Sequence, residues 1–150
     1  MPHAPFLPVL RELAAAYQAF EAYSGAHIRT LDLTPAQFDI IATLGNTAGM
    51  PLKELGEKTL ITKGTLTGVV DRLTDKNLVR RVASPSDGRS QIVQLTPQGE
   101  ALFASVFPAH LDYLAQAFGE LSAQDLVSLE TSLSRLRTTF MAARIAKEKA

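Results

Sequence analysis

One short segment limits the fold of this chain more than any other: a pair of alternating strands inside a sequence otherwise patterned as helix. Aliphatic side chains recur on both sides of a polar turn, at Leu78, Val79 and Val82 before it and at Ile92, Val93 and Leu95 after it. Within the turn, Pro85 presets its own φ, Asp87 can accept bonds from the backbone, and Gly88 tolerates positive φ. The pattern predicts a β-hairpin, so the fold must hold one small two-stranded element among helices.

Six helices are predicted around this hairpin from apolar periodicity and from start signals. They cover residues 7–30, 34–44, 51–58, 62–76, 97–118 and 122–145. Four of them begin at a Ser or Thr that suits an N-cap, namely Thr34, Thr62, Thr96 and Ser122. The predicted fold class is therefore mainly α with a small β-hairpin.

Length and composition narrow the classes of function. With 150 residues, of which 46% are hydrophobic and 20% charged, the chain suits one ordinary globular domain. Cysteine is absent, which excludes disulfides, thiolate metal sites and thiol switches. No apolar run reaches the length of a membrane span and the N-terminus has no basic leader, so we expect a cytoplasmic protein without a membrane partner.

The sequence holds no recognisable catalytic or metal-binding motif. His3, His27 and His110 are scattered and form no cluster at the spacing of metal ligands. No serine nucleophile elbow, phosphate-binding glycine loop or paired-carboxylate motif stands out. The sequence therefore predicts a protein that is not an enzyme and that binds no cofactor or metal.

The charge of the chain is localised, although the chain is neutral overall. Residues 62–92 hold six Lys or Arg and three Asp, a net charge of +3, whereas the segments before and after are both net acidic. One basic stretch on a neutral protein indicates a local contact with a polyanion. The simpler alternative is a solvated surface.

The helix predicted at residues 62–76 suits a DNA major groove. Its buried stripe is predicted at helical spacing, at Leu66, Val69, Val70 and Leu73. The opposite face presents small, hydroxyl and charged side chains, at Lys63, Gly64, Thr65, Thr67, Gly68, Asp71 and Arg72. Short side chains let a helix enter the groove, and two internal glycines, each costing about 1 kcal/mol against Ala, are unexpected in an ordinary amphipathic helix. Two short helices followed by a hairpin form the arrangement of a winged helix-turn-helix.

The segments TKGTLTGVVDRLTDKNLVRR and SPSDGRSQIVQLTPQGEAL are very similar to the signature of the MarR family of bacterial transcriptional regulators. The similarity is strong from Pro51 to Leu102 and extends more weakly, through helix order, over nearly the whole chain. It implies one domain over residues 1–150, with a winged helix-turn-helix at about 34–96 and long dimerisation helices at about 7–30 and 97–145. It also implies a homodimer that binds double-stranded DNA at a pseudo-palindromic operator, acts as a repressor and is released by a small aromatic or anionic ligand.

The resemblance assigns DNA contacts to two places. In the recognition helix they are Thr62, Lys63, Gly64, Thr65, Thr67, Gly68 and Arg72. At the wing tip, Arg89 would enter the minor groove, where negative potential is concentrated, and Asp87 would brace it. Gly88 stands where the family often has a basic residue, which removes one phosphate contact.

An effector pocket is expected where the first and fifth helices meet the winged helix-turn-helix. Its walls would be Phe20, Tyr23 and His27 on one side and Phe103 and Phe107 on the other. Aromatic walls with one imidazole suit a flat organic acid, while the same residues also fit an interface or an exposed surface. Two other functions stay open: a winged helix that binds an acidic protein partner, and an effector-binding protein that has lost operator binding.

Overall fold

Residues 4–149 are described by a computed structural model, and they form six helices and one β-hairpin. The elements are α1 (Leu7–Thr30), α2 (Pro35–Leu44), α3 (Leu52–Lys58), α4 (Lys63–Asp75), β1 (Val79–Ala83), β2 (Gln91–Leu95), α5 (Pro97–Phe118) and α6 (Ala123–Lys149). The chain divides after Asp112 into two compact units. The predicted fold class, helices with one hairpin, is confirmed, whereas a single domain over residues 1–150 stays a prediction.

The start and the end of α2 follow from local sequence. The Gln37 N–H donates to Thr34 Oγ1 and the Thr34 N–H donates to Gln37 Oε1, both over 3.1 Å. These two bonds are a capping box, which satisfies two backbone donors at the helix start. The helix ends before Gly45, where a Cβ atom would lie 2.1 Å from the Phe103 ring. Glycine therefore lets α5 approach this turn.

Residues 31–96, called here the winged lobe, contain the centre of the core. The lobe supplies the largest fully buried side chains, which are Ile40, Ile41, Leu44, Leu55, Val70, Leu73 and Val79. Ile28 of α1 and Phe103 and Val106 of α5 belong to the same apolar cluster. Because burying one such side chain stabilises a fold by about 1.5–3 kcal/mol, this cluster holds the lobe together and attaches α1 and α5 to it.

The hairpin is antiparallel, with Val82 opposite Ile92. Met50 adds a bridge on the other side of β2, where it exchanges two backbone bonds of 3.0 and 2.8 Å with Val93. Gly49 precedes this bridge with φ +100°, and a Cβ atom there would lie 2.7 Å from the Val93 carbonyl oxygen. The base of the wing thus has a third backbone partner and requires glycine beside it.

Helix α5 begins directly after β2. The Thr96 hydroxyl accepts the Gly99 N–H over 3.0 Å, as the start signal predicted. Gly99 lies so close to the hairpin that a Cβ atom would be 2.0 Å from the Leu78 carbonyl oxygen. The helix continues through Pro108 without interruption.

Helix α6 exposes its apolar side chains. Ser122 and Asp125 form a capping box at its start through bonds of 3.0 and 3.1 Å. No residue described in α6 is buried, and its exposed apolar side chains are Leu126, Val127, Leu129, Leu133, Phe140, Met141 and Ile145. Among the helices described, none is long and apolar enough to cross a bilayer.

Candidate DNA-binding surface and ligand site

Helix α4 has one face in the core and one in solvent. The predicted stripe is confirmed, since its four residues are only 0–4% exposed: Leu66, Val69, Val70 and Leu73. The other face is exposed and carries the predicted contact residues Lys63, Gly64, Thr65, Thr67, Gly68 and Arg72. The fold therefore brings the basic and hydroxyl side chains of this segment onto one accessible surface.

The two glycines of this surface are not required by packing within the described chain. A Cβ atom at Gly64 or Gly68 would meet no neighbouring heavy atom within 4 Å. Each glycine nevertheless costs the helix about 1 kcal/mol relative to Ala. What they provide is a low surface, on which a groove wall or a base edge can come close to the α4 backbone.

Thr62 lies at the N-cap position of α4, but within the described chain its side chain does not cap the helix. Its hydroxyl donates to Thr65 Oγ1 over 3.0 Å on the exposed surface. The predicted side-chain cap was wrong because the two hydroxyls bind each other. The Thr65 N–H donates to the Thr62 carbonyl over 3.0 Å, and at this end of α4 the helix dipole favours an anion such as a phosphate.

A carboxylate from α2 holds the turn before α4. Asp39 Oδ2 accepts the Leu60 N–H over 2.9 Å. Burial raises the pKa of the Asp39 carboxyl, and the bond from Leu60 acts in the opposite direction. The Leu60 side chain is 71% exposed, two residues before the N-cap. This contact was not predictable from the sequence, because no local pattern connects residues on different helices.

At the wing tip, Asp87 shapes the turn. Its carboxylate accepts the Arg89 N–H and the Ser90 hydroxyl, both over 3.0 Å, and the Ser84 N–H closes the loop by donating to the Ser90 carbonyl over 2.8 Å. The resemblance implied that Asp87 braces Arg89. In the structure its carboxylate binds the backbone N–H of Arg89, while the Arg89 side chain is exposed.

Side-chain bonds tie the wing to the rest of the surface. Arg81 of β1 forms an ion pair of 2.8 Å with Asp71 of α4. Across the hairpin, Arg80 Nε donates to Gln94 Oε1 over 2.7 Å, and Gln94 Nε2 donates to the Ala48 carbonyl over 3.2 Å. These bonds set the position of the wing relative to the recognition helix, and they give Asp71 a structural task that its exposed position did not predict.

The predicted ligand-site residues lie on α1 and α5. Phe103 stacks on Phe107 with ring centroids 5.0 Å apart, and Phe103 is buried. Tyr23 and His27 are half-buried on α1, and Phe20 is exposed. The ring of His27 stacks on that of His110, which is not among the predicted ligand-site residues.

The sequence suggested that the histidines are scattered, but the structure brings two of them together. His27 Nδ1 and His110 Nδ1 lie 2.9 Å apart, and His110 Nε2 lies 3.0 Å from Ser24 Oγ. Among the described residues, no group of three metal-ligating side chains accompanies them, and His3 lies outside those residues. The pair brings α1 and α5 together through polar groups at the edge of the core.

Known proteins resemble this chain over most of its length. A model of the MarR family matches residues 31–90, which correspond to the winged lobe up to β2. The HTH-type transcriptional regulator MhqR of Bacillus subtilis is 32% identical over 124 residues, which make up 83% of this chain and 86% of that protein. The surface of α4, strand β1 and the wing tip therefore lie inside the segment that the family model covers.

Two solved structures are similar in both sequence and fold. A mutant of MarR from Escherichia coli, in complex with operator DNA, is 26% identical with a TM-score of 0.75, covering 89% of this chain and 99% of that one. BpsR of Bordetella bronchiseptica, whose DNA binding is regulated by 6-hydroxynicotinic acid, is 28% identical with a TM-score of 0.77, covering 91% and 98%.

Proposed function

This chain belongs to the MarR family of transcriptional regulators and is not an enzyme, and on that premise we propose that it is a homodimeric repressor. It binds a pseudo-palindromic operator through α4 and the wing, in the cytoplasm where the chromosome lies, and a small ligand releases it. The observation that carries the proposal is the exposed surface of α4, where Gly64 and Gly68 meet no neighbouring heavy atom. Each glycine costs the helix about 1 kcal/mol without a packing reason inside the described chain. The absence of side chains at these two positions therefore favours close contact with another molecule.

The proposed contacts divide between the two grooves. Thr65 and Thr67 present hydroxyls that can donate to or accept from base edges in the major groove. Lys63 and Arg72 flank them as phosphate ligands. Arg89, held out on the turn that Asp87 shapes, enters the minor groove.

The experiment is a selection of bound duplexes from a random pool, followed by affinity measurements at several salt concentrations. Arg89→Ala should weaken binding to all sequences and reduce the salt slope by about one. Thr65→Ala and Thr67→Ala should relax the preference at single base pairs and cost about 1–3 kcal/mol each. Arg135→Ala, which removes an exposed arginine of α6, is the matched control and should change neither quantity.

Failure of this experiment would point to a different class of function. A folded protein that retards no duplex at low salt contradicts the proposal. Binding to an acidic protein through the same basic surface would then favour an interaction module. Binding of a small ligand alone would favour an effector-binding protein without an operator.

The proposed dimer is supported by the exposed apolar side chains of α1 and α6. Leu10, Leu13, Tyr17 and Phe20 are exposed on α1, and Leu129 and Leu133 are among those exposed on α6. A second copy that covers such stripes in an obligate interface buries more than about 2,000 Å² in total. The half-sites of the operator should then lie about 34–36 Å, or 10–10.5 base pairs, apart. Light scattering that finds a folded monomer at micromolar concentration would contradict the dimer.

The proposed ligand is a flat organic acid held by Phe20, Tyr23 and His27 of α1 and by Phe103 and Phe107 of α5. Regulation of the similar protein BpsR by an aromatic acid supports this class of ligand. Because His27 Nδ1 faces His110, a carboxylate would bind the other ring nitrogen of His27 or displace His110. The ligand releases DNA only if it binds better to the conformation that does not bind DNA.

A thermal-shift screen of aromatic acids, with and without operator DNA, tests the ligand site. At about a hundredfold excess over its Kd, a ligand should stabilise the dimer by about 2.7 kcal/mol. The same ligand should lower operator affinity, and His27→Ala should remove both effects. An aliphatic acid of equal charge is the control. A shift that is indifferent to His27→Ala would place the ligand elsewhere.

A further inference from the structure

The His27–His110 contact joins three helices through one hydrogen-bonded pair. The two rings are stacked with centroids 5.2 Å apart and planes at 16°. His110, which is only 4% exposed, uses Nδ1 towards His27 of α1 and Nε2 towards Ser24 of the same helix. On its other side, the Phe38 ring of α2 meets it edge-on at 4.6 Å. The pair is therefore a junction between α1, α5 and the winged lobe.

The 2.9 Å distance between the two Nδ1 atoms is a hydrogen bond only if a single proton lies between them. With both rings neutral, one Nδ1–H donates and the other Nδ1 accepts, and the Ser24 hydroxyl can serve either arrangement because it donates and accepts. When both rings are protonated, two N–H groups of two cations face each other. The hydrogen bond is then lost and the like charges repel.

The charged and titratable groups of the three helices define the surroundings of the pair. The described bond of Glu21 goes to the Tyr17 hydroxyl, and that of Asp39 goes to the Leu60 amide. These helices also carry the cation Arg29, whose guanidinium lies near Gly25, the exposed carboxyl Asp112, and the phenols Tyr23 and Tyr113.

We propose that the His27–His110 pair is a pH-sensitive contact, which holds the winged lobe on α1 and α5 in neutral solution and lowers operator affinity when both rings are protonated. The proposal rests on the proposed DNA-binding function. The described contacts that could transmit the change are continuous, since His110 touches Phe38, and Phe38 packs in the core that also contains the buried stripe of α4. A loosened lobe would have to be ordered again on the operator, which reduces affinity.

The direction of the effect follows from the burial of the pair. Burial, and to a smaller degree the charge of His27, lowers the pKa of His110 from its ordinary value of 6.5. The unfolded chain therefore takes up its proton at a higher pH than the folded chain does. The stabilisation by the neutral pair is complete above pH 6.5 and is lost as the pH falls through the lowered pKa of the folded state.

The first experiment measures operator affinity of the full-length dimer between pH 8 and pH 5.5 at constant salt. Simple electrostatics predicts the opposite sign from the proposal, because protonated histidines add positive charge and strengthen binding to phosphates. We expect affinity to fall with acidification, at most about tenfold per pH unit for each proton taken up. His110→Gln and His27→Gln, which keep a polar side chain without an imidazole, should flatten this fall. Asp112→Asn, an exposed neighbour on α5, should leave it unchanged.

The second experiment needs no DNA and therefore separates the pair from the proposed function. Thermal unfolding of the free protein should lose stability below pH 6.5 in the wild type and less so in either glutamine variant. A merely structural role would lower stability in the variants equally at all pH values. If no duplex binds at any pH, the DNA-binding proposal fails, and this profile still decides whether the pair responds to protons. If the stability of both glutamine variants falls with acidification as much as that of the wild type, the inference is overturned.

Discussion

The winged lobe and α6 use similar apolar residues in opposite ways. Leu44 of the lobe is fully buried, whereas Leu133 of α6 is 54% exposed. In α2, which contains Leu44, and in α6, an apolar residue recurs every three or four positions. The apolar pattern alone therefore does not distinguish the buried helix from the exposed one. The difference is that α2, α3, α4 and the hairpin cover one another within residues 31–96, while no described residue of α6 is buried. The lobe obtains its stability inside one chain, whereas α6 exposes the stripe that the proposed dimer would cover.

The largest expected effect on stability comes from two Leu→Ala substitutions, one in the lobe and one in α6. Leu44→Ala should destabilise the protein by about 2–5 kcal/mol, because it leaves a cavity in a closed core, and the loss should not depend on protein concentration. Leu133→Ala should act mainly by weakening the dimer, so its effect on the unfolding temperature should grow on dilution. Thermal denaturation at two protein concentrations measures the loss of stability and its concentration dependence in each variant. Equal concentration dependence in the two variants would erase the distinction between lobe and α6.

A smaller expected effect on stability distinguishes a glycine packed against the hairpin, Gly99, from a glycine without a neighbour, Gly64. Gly99→Ala places a Cβ atom 2.0 Å from the Leu78 carbonyl oxygen, and the displacement of the hairpin should cost about 1–3 kcal/mol or more. Gly64→Ala meets no neighbour and should instead stabilise α4 by up to about 1 kcal/mol while it weakens operator binding. Chemical denaturation and operator titration of both variants check this pair. A Gly64→Ala variant that binds DNA normally would remove the main support for the recognition surface.

The smallest effect compares two threonines at helix starts. Thr34→Ala breaks the capping box of α2 and should cost about 1 kcal/mol. Thr62→Ala removes a hydroxyl that binds only Thr65 Oγ1 in the described bonds, so its stability should change by less than that. Urea denaturation gives the two values. A loss at Thr62 as large as that at Thr34 would mean that Thr62 caps α4 after all.

Features that arise between residues close in sequence were predictable. The capping boxes at Thr34 and Ser122 join residues three positions apart, and the stripe of α4 repeats within two turns. The hairpin follows from alternation on both sides of one short turn. Such patterns are local because a helix or a strand imposes a fixed spacing on its own side chains.

Contacts between residues far apart in sequence were not predictable, because they depend on how whole elements pack. His27 and His110 lie 83 residues apart, so their separate positions suggested isolated histidines, whereas the packing of α1 on α5 makes them one pair. The Asp39–Leu60 bond and the Met50–Val93 bridge arise in the same way. At the wing tip, only the structure shows that Asp87 binds Arg89 through the backbone N–H of the turn. The sequence determines the helices, the hairpin and their local caps. The partner of each polar group is determined only by the packing of the elements, because a buried donor or acceptor must bind a group that packing places beside it.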